Sequence, residues 1–128
     1  MTAPVRTRSL AVSAVLDVVL VLVFSAIGRS SHAEGVTAGG VVSTAWPFLV
    51  GLVVGWAVTY ALYREKFVAD SLVPTGVIAW IGTVLVGMLL RQLTDEGTAF
   101  SFIVVASVTL GIFLLGWRAI ARFVRTRR

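Results

Sequence analysis

The chain contains no cysteine, and that one absence excludes disulfides, thiolate metal centres, CxxC haem attachment and cysteine nucleophiles together. Histidine is nearly absent: His32 stands alone, so paired-histidine haem ligation within one chain is excluded as well. Charge is scarce, with Asp, Glu, Lys and Arg making up 13% of 128 residues, against roughly 25% in a typical soluble domain. Missing too are GxSxG, HExxH and any phosphate loop, and no two carboxylates share a helical spacing inside an apolar run. Neither an enzyme nor a cofactor is expected. A metal site built from His32, Glu34, Asp95 and Glu96 would match no known ligand spacing, so no metal is expected either.

What the chain has instead is apolar length: 58% of its residues are hydrophobic and the mean hydropathy is +0.97. Apolar runs cover residues 10–27, 41–63, 72–90 and 99–117. Each approaches or exceeds the roughly 20 helical residues that cross a hydrocarbon core of about 30 Å. The connections are short, which favours antiparallel neighbours. The expected fold class is therefore all-α, an integral membrane up-and-down four-helix transmembrane bundle forming a single domain over residues 1–128, with a basic C-terminal tail at 118–128. Pro47 and Pro74 are expected near helix starts, where a missing N–H costs nothing. A signal peptide ending near Ser31-His32-Ala33 is the weaker alternative, since its apolar run is too long and contains Asp17.

Basic residues report orientation. Arg6, Arg8, Arg64, Lys66, Arg118, Arg122, Arg125, Arg127 and Arg128 fall on the side of both termini, against Arg29 and Arg91 opposite, nine to two. The excess places both termini in the cytoplasm of a multi-pass protein of the cell (inner) membrane. The net charge of +5 is then a topology signal, or a tail lying on anionic lipid, and no nucleic acid partner is expected.

Helices in lipid associate through close packing of small residues. Stripes at a spacing of four are Gly51, Gly55 and Thr59 on the second helix, Ala79, Thr83 and Gly87 on the third, and Ser107 and Gly111 on the fourth. They serve either to seal the bundle internally or to form a homodimer interface.

Asp17 is the one acidic residue within an apolar run. A charge there costs about 2.5–3.5 kcal/mol on insertion scales and needs a partner, water or a proton. Counting equal depth along the other helices reaches Trp56, Trp80 and Thr109, and Ser13 lies one turn away on its own helix. These define a candidate intramembrane layer around Asp17: a proton or cation relay, or a structural carboxyl held by hydrogen bonds. On the opposite side, Arg29, His32, Arg91, Asp95 and Glu96 form a second candidate site, a patch for a small anion or a set of solvated caps.

Asp17, Gly28-Arg29 with His32, Ala45-Trp46-Pro47-Phe48 followed by Gly51 and Trp56, Gly87-Met88 with Arg91, and Gly116-Trp117-Arg118 together resemble a family of small four-helix membrane proteins. That family, frequent in actinobacteria and found in haloarchaea, is catalogued only as a domain of unknown function. The resemblance covers nearly the whole chain and implies an actinobacterial-type inner membrane protein without an assigned activity. The small multidrug exporters are similar in length and share an acidic residue in helix one, but many of them assemble with dual topology, which the nine-to-two bias opposes. The Asn-containing and Phe-rich pore motifs of the fluoride channels are absent. The functional expectation is a small proton-linked or small-solute transporter or channel, with a non-transporting accessory or scaffold subunit as the alternative. The partners expected are the lipid bilayer and either further copies of the chain or other membrane subunits.

Overall fold

The computed structural model describes residues 3–31, 36–94 and 100–126, with side-chain surroundings at 9–29, 36–94 and 100–124. The described residues form α1 (Ala3–Ser31), α2 (Ala38–Tyr63), α3 (Val77–Leu93) and α4 (Phe100–Thr126), with a short 3-10 turn at Arg64–Lys66 and a wide π-type turn at Leu72–Gly76 before α3. All four helices are long and apolar enough to cross a membrane. Helix α1 packs on α2, α2 on α3, α3 on α4, and α4 back on α1, closing a four-membered ring. Neighbours run antiparallel, as shown by pairs such as Phe24 with Phe48 near one end and Asp17 with Trp56 toward the other.

Local chemistry sets the helix starts, and two differ from expectation. The Thr37 hydroxyl accepts the Gly40 N–H at 3.0 Å and caps α2 at Ala38, so Pro47 lies inside the helix and not at its start. There it withholds a backbone donor from the preceding turn. At the other link, Ser71 Oγ accepts the Thr75 N–H, while Val73 stays extended at φ −125°, ψ 126° because the residue before proline avoids the helical region. The regular α-helix therefore begins at Val77 and not at residue 72.

The ends differ as well. Helix α1 begins by Ala3 and α4 continues to Thr126, so the expected tail at 118–128 is mostly helix, and Arg118 lies well within it. Hydropathy stops a helix at its first charges, but backbone hydrogen bonding does not.

Where α2 meets α3 the backbones touch. A Cβ on Gly51 would sit 2.6 Å from the Gly82 carbonyl oxygen, and one on Gly55 would sit 2.8 Å from the Ala79 Cα. Gly82, which the spacing of four passes over, faces both: its own Cβ would fall 2.9 Å from the Gly55 Cα. Thr59 and Thr83 lie buried along the same seam and return their hydroxyls to the Gly55 and Ala79 carbonyls at 2.7 Å each. Gly87 receives the Phe48 ring, and Gly111 lies against the Trp80 indole. Phe24, Phe48 and Phe102 meet with centroids 5.3–6.5 Å apart, forming the aromatic centre of a core that also holds Val21, Leu52, Ala106 and Leu110. Outward faces carry Val15, Val53, Leu62, Leu85, Leu89 and Ile112 in the open, an exposure that a water-soluble monomer rarely tolerates.

Because the α2–α3 seam leaves no room for a methyl group, Gly51→Ala is expected to lower stability by about 1–3 kcal/mol. Gly116→Ala, at a position with nothing within 4 Å, is expected to shift it by less than about 0.5 kcal/mol. Unfolding of both variants in mild detergent measures the contrast, and equal effects would mean that the seam is not closely packed.

Candidate functional site

Asp17, at the midpoint of α1, is 0% exposed, and so is Arg118 on α4. The two form a bidentate pair in which Arg118 Nη1 donates to Asp17 Oδ1 and Nη2 to Oδ2, both at 2.8 Å. Paired parallel N–H···O bonds of this kind are the strongest geometry available to a carboxylate and a guanidinium. Two indoles complete the carboxylate's shell. Trp117 Nε1 donates to Oδ1 at 2.8 Å and Trp56 Nε1 donates to Oδ2 at 2.9 Å. A carboxylate offers about four acceptor positions, and here all four are filled.

The guanidinium is equally complete. Its Nε and Nη2 donate to the Ala69 carbonyl at 3.1 and 2.9 Å, and Nη1 donates to the Leu114 carbonyl at 3.1 Å. With the two bonds to Asp17, these use all five N–H groups of an arginine. Ala69 belongs to the link between α2 and α3, and the structure explains why its carbonyl is in place. Phe67 and Ala69 are buried, Phe67 stacks edge-on against Trp56 at 5.6 Å, and Thr75 Oγ1 donates to the Val68 carbonyl at 2.6 Å. Gly76 supplies the space, since a Cβ there would lie 2.9 Å from Arg118 Cδ. One ion pair thus joins α1, α2, the α2–α3 link and α4.

Of the layer expected around Asp17, Trp56 alone bonds to it. Trp80 turns the other way and donates its N–H to the Ser107 carbonyl at 2.8 Å, tying α3 to α4. Thr109 is half-buried and is not among the carboxylate's partners. Ser13 is buried one turn from Asp17, and its hydroxyl has no partner. The partners that spacing missed are Trp117 and Arg118. The available signal was charge balance, because a lone acid in an apolar run calls for a base, and Arg118 follows directly on the fourth apolar run.

At the other end of the bundle, Arg29 Nη1 donates to Thr44 Oγ1 at 3.2 Å, with its guanidinium lying over Gly40. Arg91 lies over the Phe102 ring, 4.5 Å from its centroid, a cation–π contact. Each arginine is therefore held by a neighbouring helix. His32, Asp95 and Glu96 lie outside the described residues, so the five do not form a described site. Among the described residues no three His, Asp or Glu side chains come together in a metal-binding group.

Beside the ion pair, a groove of about 520 Å³ runs between Val12, Ser13 and Leu16 on α1 and Trp117, Ile120 and Ala121 on α4. Ser9 and Asp70 add the rest of its polar wall, and most of the lining is apolar. Val12 and Ile120 are 49% and 65% exposed, so the groove opens on the outer surface of the bundle.

A family profile described as a protein of unknown function, DUF3054, matches residues 14–121. That span contains Asp17, Trp56, Ala69, Leu114, Trp117 and Arg118, the groups that make up the ion-pair network. No curated protein and no solved structure matches the chain. With most of its length matched, the network included, the chain belongs to the DUF3054 family of proteins of unknown function.

Proposed function

We propose that this chain is a multi-pass protein of the cell (inner) membrane with both termini cytoplasmic, acting as a non-transporting, non-enzymatic accessory or scaffold subunit. The observation that carries this reading is the saturation of the Asp17–Arg118 pair. Four donors on the carboxylate and five satisfied N–H groups on the guanidinium leave no acceptor or donor for a passing proton or ion. A closed pair of this kind serves to specify one arrangement of helices. The chain's contribution then lies in the surfaces those helices present to other membrane subunits or to copies of itself. The nine-to-two distribution of Lys and Arg supports the orientation.

One observation favours the second reading, a small proton-linked or small-solute transporter: the Ser13 hydroxyl is unpartnered beside Asp17, next to an open groove.

Purified protein in liposomes containing a pH-sensitive dye separates the two. Under the scaffold reading, wild-type vesicles leak protons no faster than empty ones. Proton flux that is present in the wild type and lost in a folded Asp17→Asn variant would replace the scaffold with the relay. The pair itself is expected to behave asymmetrically. Arg118→Ala strands a buried carboxylate and costs about 3–5 kcal/mol, whereas Asp17→Leu combined with Arg118→Met recovers much of that loss. Unfolding in detergent reads both, and a double variant no better than Arg118→Ala would contradict a purely structural role.

Orientation has its own test, made simple by the absence of native cysteine. Thr37→Cys is expected to react with a membrane-impermeant maleimide on intact cells, and Lys66→Cys only after permeabilisation. The reverse pattern would invert the topology.

A further inference from the structure

Buried hydroxyls in this bundle nearly all return to their own backbone. Ser25 donates to the Val21 carbonyl at 3.0 Å, Thr59 to Gly55 and Thr83 to Ala79, each one turn back along its helix. Thr75 donates to Val68. Ser13, 1% exposed, is the exception among the described residues: its Oγ meets no partner. A buried hydroxyl in that state is destabilising unless something outside the chain meets it. Ser13 also forms part of the wall of the groove between α1 and α4.

We propose that this groove holds one acyl chain of a glycerolipid, whose ester carbonyl accepts a hydrogen bond from Ser13 Oγ. Three features select that occupant. The lining is apolar apart from Ser9, Ser13 and Asp70, and the volume of about 520 Å³ lies within the range of about 300–1,000 Å³ used by small-molecule sites. Ser13 stands near the start of the apolar run of residues 10–27, toward the end of the helix where a glycerolipid's ester groups flank the hydrocarbon. The ester is also neutral, whereas a free fatty acid would bring a second carboxylate toward Asp70. This site does not depend on the scaffold reading and would exist equally in a transporter.

The test is native mass spectrometry of the intact chain in mild detergent, titrated separately with dioleoyl phosphatidylethanolamine and with its dialkyl ether analogue, which lacks both carbonyls. Wild-type protein is expected to retain about one diester lipid per chain and to favour it over the diether by roughly two- to tenfold, the worth of one net hydrogen bond. Ser13→Ala, which removes one oxygen and adds no bulk, is expected to bind both lipids equally. Ala121→Leu, which fills the groove, is expected to lose both. Thermal unfolding of each variant separates a lost site from a lost fold. An ester preference that survives Ser13→Ala overturns the proposal, as does equal retention by wild type and a folded Ala121→Leu. So does a co-purifying apolar molecule without an ester that the diester lipid fails to displace.

Discussion

A carboxylate and a guanidinium, both withdrawn from solvent, determine how this bundle closes. Placed alone in an apolar interior, either charge would be costly; placed together with correct geometry, they are tolerable only if every remaining lone pair and proton is also satisfied. Asp17 and Arg118 meet that condition by recruiting two indoles, the Leu114 carbonyl and the Ala69 carbonyl. The demand propagates outward. The α2–α3 link has to present Ala69, Phe67 and Thr75 have to hold that link, and Gly76 has to leave space for the arginine stem.

The rest of the bundle is organised by a different force. Between α2 and α3 there is no charge to pair, and the helices approach until Gly51, Gly55, Gly82 and Ala79 bring backbone against backbone. Dispersion contacts at close range hold this seam, the kind of packing by which helices associate where no hydrophobic drive is available. The two devices are complementary. The small-residue seam makes α2 and α3 a tight pair, and the ion pair fastens α1 and α4 to it beside the α2–α3 link.

This division also bears on function. Among the described residues the buried polar side chains find partners in one another or in the backbone, except at Ser13, and the groove beside Ser13 opens outward. Ser13 is thus where, among the described residues, a buried polar group without a partner lies next to the surface. Arg29 on Thr44 and Arg91 on Phe102 repeat the theme at the other end, where each cation clips one helix to the next.

Much of this was legible in the residues alone. Apolar run length determined that there would be four helices, because a bilayer's thickness converts directly into a residue count. Spacings of four marked Gly51, Gly55, Thr83 and Gly87 as packing positions, because residues four apart share a helix face. Asp17 stood out because a lone acid in an apolar run needs an explanation. Its partners did not stand out, since equal-depth counting ended the fourth helix at its first charges and left Arg118 in a tail. Trp80 and Trp56 carry the same indole at the same depth, yet one donates to Ser107 and the other to Asp17. That difference depends on the rotation of each helix about its axis, which only the packing of all four together decides.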